Sequence, residues 1–210
     1  MNAEQPPYTH ERDKISLPNL KLNGFKGPIM LNQEIIKDIS FLIKTGKIGI
    51  IPTDTMYAIT CSAFNKESVE KIYKLKKRNK NKPLIILISS IKDISLFNIN
   101  LNKEQKEILK TIWPDKITFI FSCQNNKFKY LHRNTKTLAF RVPNNKDLLK
   151  LLKKTGPIVV PSANIEGKKP ATTIKKAKEY FKDSVDFYID IGKLSSKPSI
   201  IINQEFERIR

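Results

Sequence analysis

The stretch IIPTDTMYAIT, residues 50–60, decides how the chain reads. An apolar run shaped like a buried strand stops at Pro52 and delivers Thr53, Asp54, Thr55 and Tyr57 almost together, and then the sequence turns apolar again. A strand end that suddenly presents small polar side chains is where open α/β sheets place their ligands. The same residues also suit an ordinary turn, ended by Pro52 and capped by Thr53 or Asp54. The neighbouring segments have to separate the two.

Working outward, apolar residues recur at helical spacing at Ile35, Ile36, Ile39, Leu42 and Ile43, with Gly46 placed to cap the helix end. KIGII is then a short strand, and Val69, Ile72, Tyr73 and Leu75 form the apolar face of a basic helix over 66–78. PLIILI is a fully buried strand, followed by a turn or short helix near 91–97 and a helix from Asn102 to Trp113. KITFIFS, TLAFRV and PIVVP read as further strands, with a helix over 145–154, another over 173–182, and last strands near DFYID and SIIIN. Helices alternating with continuous apolar strands predict an α/β sheet covered on both faces. The Lys/Asn runs at 76–82 and 125–129 read as solvated loops. Residues 1–30, with four prolines and little periodicity, read as an N-terminal arm ahead of a domain over 31–210.

Charge narrows the partners. Thirty-nine basic against twenty acidic residues give +19, which suits a polyanion such as a nucleotide or RNA. Aromatics are not interleaved with the basic residues as a base-stacking platform requires. Cys61 and Cys123 are too few for a disulfide framework and lack zinc spacing. No apolar run is long enough for a membrane span, and the N-terminus lacks the apolar stretch of a secretory signal. A cytoplasmic protein with reduced thiols is the expectation. The two histidines, His10 and His132, read as surface or loop residues.

The opening pattern recurs. PIVV ends in PSAN as IGII ends in PTDT, and TLAFRV carries Arg141 between apolar neighbours. Such loops leave N–H groups and hydroxyls to donate to phosphate or carboxylate oxygens. The three strand ends are expected to open on one crevice. Between them, KLKKRNKNKPLIIL places Lys76, Arg78 and Lys82 on a connection that can face the same crevice.

Taken together, these segments resemble the YrdC-like family of threonylcarbamoyl-AMP synthases. IIPTDTMYAIT is similar to the family's PT(D/E)T-x-Y-G-L, and KKRNKNKPLIIL to its K-x-R…PL-I segment. WPDKITFIF is similar to WPGPLT, TLAFRVP to T-x-A-x-R-x-P, PSANIEGKKPATT to PSAN-SG-P…T, and KPSII to the late ST motif; the terminal RIR fits a closing arginine. The matches come in the family's order from about residue 33 to 210.

The resemblance implies a twisted mixed sheet with helices packed around it and a large concave basic cavity. It implies condensation of L-threonine, bicarbonate and ATP, with Mg²⁺ on the triphosphate, to threonylcarbamoyl-AMP and pyrophosphate. Transfer proteins then pass the group to the adenosine beside the anticodon of tRNA. Thr55, Arg141 and Ser199 match threonine contacts, Arg141 as partner of the carboxylate. Arg78, Lys82, Thr137, Ser162 and Arg210 match ATP contacts, with Lys76 and Asn164 completing the polar set; Lys76 and Arg78 are the residues expected to carry catalysis. No protein nucleophile is required, because positioning and charge neutralisation suffice. Asp54 is read as fixing its loop in preference to acting as a base. Ala58, Asp115–Lys116, Leu87, Ala171 and Ile200 depart from the family pattern, and the Tyr57–Ala58 pair is reminiscent of the YciO-like branch. A diverged protein that binds nucleotide, tRNA or double-stranded RNA without turnover is the alternative. With no further domain after Arg210 in the sequence, the single-domain type is expected.

Overall fold

The computed structural model describes residues 31–194, 197–203 and 207–209. The arm at 1–30 and Arg210, both singled out above, lie outside the described residues.

Helix α1 (Gln33–Lys44) starts where the Asn32 side chain accepts from the Ile35 N–H at 2.9 Å, and Ile36, Ile39, Leu42 and Ile43 form its buried stripe. Strand β1 (Gly49–Pro52) follows. The chain then does something the sequence reading did not anticipate: Tyr57–Ser62 forms a strand, β2, that folds straight back on β1 with Pro52 opposite Tyr57. PTDT is therefore the tip of a hairpin.

Helix α2 (Lys66–Lys76) ends at Lys77, whose φ of 48° is left-handed. After it come β3 (Ile85–Leu87), a 3₁₀ segment (Ile91–Phe97), α3 (Lys103–Ile112) and β4 (Ile117–Ser122). The second Lys/Asn run is anchored, contrary to expectation. A 3₁₀ turn at Asn126–Phe128 leads into α4 (Lys129–His132), and Phe128 and His132 are both buried. Then follow β5 (Thr137–Arg141), α5 (Lys146–Thr155), β6 (Ile158–Val159), α6 (Ile174–Phe181), β7 (Phe187–Tyr188) and β8 (Ile200–Ile202).

The strands form one mixed sheet in the order β7-β1-β2-β6-β3-β5-β4-β8. β1 is antiparallel to β2 and β2 to β6, so β1 and β6 run in one sense. β6 is antiparallel to β3 and β3 parallel to β5, so β5 runs against both. The end of TLAFRV thus does not point with the other two strand ends.

Side-chain alternation sorts the two faces. On one, Leu138, Phe140, Phe119 and Phe121 join Phe97 and Phe128 in the main core, where Phe97 and Phe140 meet edge-on with centroids 4.9 Å apart. On the other, Ile51, Ala58, Leu87, Ile158 and Val160 pack under α1 and α5. No described helix is long and apolar enough to cross a membrane.

Candidate functional site

A cavity of about 240 Å³ lies over the part of this second face that α1 and α5 leave uncovered. Its floor includes Ala58, Ile85, Val160 and Ile201, and its polar wall is Thr53, Thr55, Arg78, Arg141, Ser162 and Ser199. Among the described residues, Arg78 and Arg141 are the charged side chains that line it. Arg141 reaches it because alternation along β5 puts Thr137, Ala139 and Arg141 on this face while Leu138 and Phe140 enter the core.

The hairpin tip is built around one hydroxyl. Thr53 Oγ1 donates to the Met56 carbonyl at 2.7 Å and accepts from the N–H groups of Thr55 and Met56 at 3.2 and 3.1 Å. The Thr53 and Thr55 hydroxyl oxygens also lie 3.0 Å apart, a contact in which either can donate. Asp54, next along, takes Arg141 Nη1 with both oxygens at 2.6 and 2.7 Å and the Asn144 N–H at 3.2 Å. Arg141 Nε is buried and has no hydrogen-bond partner among the described residues. Across the cavity Ser199, also buried, accepts from Thr118 Oγ1 at 3.0 Å.

The loop after β6 is organised from a distance. Lys76, last residue of α2 and 1% exposed, donates from Nζ to the Ser162 carbonyl, to the Asn164 carbonyl at 2.6 Å and to Asn164 Oδ1 at 3.3 Å. Burial first, and Arg78 second, bring its pKa down to about 7, against the pull of Glu166. Asn164 turns inward, its amide donating to the carbonyls of Ile165 and Lys168 at 2.9 and 2.6 Å. Ser162 Oγ donates to Asn164 Oδ1 at 2.6 Å, so its proton is committed within the loop.

A second clasp joins the same two segments. Arg78 is held by the carbonyls of Lys82 and Pro83 at 3.2 and 3.1 Å. Glu166 accepts from the Asn79 N–H at 2.5 Å and from Lys82 Nζ at 3.0 Å, and these two donors, Asn79 first, hold its carboxyl below the ordinary range.

Of the residues singled out in the sequence, Thr55, Arg78, Arg141, Ser162 and Ser199 meet in the cavity. Lys76 and Asn164 stand behind its wall, within the loop. Lys82 is on the rim, its side chain 60% exposed. Thr137 shares the face of β5 with Arg141, about 13 Å further along the strand, and its hydroxyl bonds to Thr135 at 3.0 Å. His132 is not a surface residue: it is buried, and neither ring nitrogen has a partner among the described residues. Two relationships went unread. The Asp54–Arg141 pair was signalled by two opposite charges, each close to apolar strand residues, since buried charges demand partners. Glu166 was signalled as the only acidic residue between Asp147 and Glu179, in lysine-rich company.

The model of the Sua5, YciO and YrdC proteins, described as Telomere recombination, matches residues 41–210. The chain belongs to this family. Within the Sua5/YciO/YrdC family it is 33% identical over 195 residues to a Methanocaldococcus jannaschii protein whose threonylcarbamoyl-AMP synthase name is provisional; 89% of the chain and 92% of that protein are covered. It is 30% identical to the threonylcarbamoyl-AMP synthase of Pyrococcus abyssi over 72% of the chain and 45% of that protein, so it spans under half of this longer relative. The crystal structure of Pyrococcus abyssi Sua5 complexed with L-threonine superposes with a TM-score of 0.77 at 26% identity, covering 85% of the chain and 53% of that structure. The mixed α/β sheet is the fold of the family.

Proposed function

We propose that the chain is a threonylcarbamoyl-AMP synthase, condensing L-threonine, bicarbonate and ATP to threonylcarbamoyl-AMP and pyrophosphate. The observation that carries this is Arg141: a buried guanidinium on the cavity wall, tied by Nη1 to Asp54, with Nε unpartnered, beside the hydroxyls of Thr55 and Ser199 and across from Arg78.

In this reading the threonine carboxylate takes the free edge of Arg141 in a charge-assisted pair, and the Thr55 oxygen accepts from the substrate's amine or hydroxyl. The amine nitrogen adds to the bicarbonate carbon, water leaves, and a carbamate forms. A carbamate oxygen then displaces pyrophosphate at the α-phosphorus. Both bonds form between substrates, so the protein's task is alignment, exclusion of water and neutralisation of the triphosphate. Arg78 faces the phosphates, Lys82 meets them at the rim, and Thr137 lies along the nucleotide's path. Lys76 and Asn164 act by holding the Ser162 loop and not by touching substrate, a different role from the one expected of Lys76.

Among the described residues no three His, Cys, Asp or Glu are grouped to hold a metal, and the cavity lining has no carboxylate. In this reading Mg²⁺ enters as part of the MgATP substrate, held by phosphate oxygens. The +19 charge supports tRNA or another polyanion as a further partner, with tRNA threonylcarbamoyl-transfer proteins consuming the product in the cytoplasm.

The test is pyrophosphate release from MgATP with threonine and bicarbonate together and with each left out. Release that needs both is expected. Release that needs neither, or none from folded protein, overturns the proposal.

A further inference from the structure

The chain holds a carboxylate, Glu166, on donors of the loop that follows Arg78. Arg78 and Pro83, which flank the 79–82 loop, line the cavity, as do Ser162 and Pro170, which flank the loop bearing Glu166. Glu166 closes the gap between them, with Oε2 on the Asn79 N–H and Oε1 on Lys82 Nζ. Arg78 and Lys76 add their positive field to the same carboxylate and to each other. Two cations, Arg78 and Lys82, and the Asn79 N–H make a site for anionic oxygen.

A backbone N–H has one proton to give. An incoming phosphate oxygen can use Asn79 only if Glu166 lets go, and two anions on Lys82 repel each other at close range. We propose that Glu166 is an intramolecular competitor for the triphosphate: its carboxylate occupies the phosphate-binding rim at Asn79 and Lys82, and nucleotide has to displace it to bind. Displacement frees the 79–82 loop from the Glu166 carboxylate, while the Glu166 N–H on the Lys76 carbonyl at 2.8 Å and the Lys76 cage still join the two segments. This rests on the proposed synthase reading for the identity of the ligand, though not for the existence of the anion site.

The alternative role for the clasp is a brace that preorganises the rim for the nucleotide, and the two roles differ in sign. Dissociation constants for MgATP, AMP and inorganic tripolyphosphate are measured by calorimetry on the wild-type chain, Glu166→Gln and Glu166→Ala, at low and high salt. Competition predicts that both variants bind MgATP and tripolyphosphate about twofold to fivefold more tightly, the scale of an exposed ion pair removed. AMP gains less, and the difference shrinks as salt screens it. Weaker or unchanged binding of MgATP and tripolyphosphate overturns the proposal, whatever the turnover. Tighter tripolyphosphate binding in a chain that releases no pyrophosphate upholds the competitor and overturns the synthase. Threonine-dependent pyrophosphate release with no tightening does the reverse.

Discussion

Asp54 and Arg141, 87 positions apart, meet as a carboxylate–guanidinium pair at 2.6 and 2.7 Å with side chains 4% and 3% exposed. The pair ties the tip of the β1–β2 hairpin to the end of β5, two strands that are not neighbours in the sheet. Removing one partner leaves an uncompensated buried charge, at a cost of about 3–5 kcal/mol. Asp54→Ala and Arg141→Ala are each expected to lower unfolding stability by about that amount in urea titrations. The double variant should lose clearly less than both losses added together, because the second removal takes away the stranded charge. Strict additivity would show that the pair is not coupled.

Ser199→Ala removes a hydroxyl from the threonine side of the cavity and leaves the Arg78 side untouched. The Michaelis constant for threonine is expected to rise about twofold to tenfold, the range for one neutral hydrogen bond, while that for ATP stays the same. Equal changes for both substrates would place Ser199 in the scaffold instead.

Arg78→Ala should reduce pyrophosphate release about 10²-fold or more with little loss of stability, since its guanidinium is half-buried and faces the cavity. Arg78→Lys should recover only a small part, because a point charge cannot reproduce the two carbonyl contacts and still face a phosphate. Steady-state kinetics beside thermal unfolding separates the two effects.

Lys76 gives a pH signature. Its pKa is about 7 in the folded chain against an ordinary 10.5, so between those values the unfolded chain binds more protons. Stability from this group therefore rises as pH increases from 7 towards 10.5, and below pH 7 the full cost of burying its charge is present. The stability difference between wild type and Lys76→Met should grow in favour of wild type across pH 7 to 10. A flat difference would mean that the carbonyl cage keeps the ammonium charged throughout.

How much of this was written in the sequence differs by element. The α1 stripe, KITFIFS and TLAFRV were legible because periodicity and unbroken apolar runs report burial directly. YAITCS was not, because the polar tip before it read as a strand end or a turn, and its strand is made by pairing with β1. The site divides the same way. Thr55 and Arg141 announced themselves as polar residues beside apolar strands, whereas Ser199 came only with the family resemblance. Lys76 was singled out, but as a group facing the crevice and not as the centre of a cage, since nothing local distinguishes a lysine held by carbonyls 86 and 88 residues away. Phe128 and His132 were misread for a related reason: α4 packs against α2, a contact between segments far apart in the chain.

The lysine cage also bears on how this domain can be recombined with its relatives. The PSAN carbonyls converge because a cation from α2 gathers them, so the loop and the helix terminus are one unit divided between two stretches of chain. Grafting residues 161–168 alone into another scaffold moves an empty ring of dipoles. In chimeras, a crossover placed anywhere between 76 and 162 keeps the loop in shape only if the incoming helix ends in a lysine at the same turn.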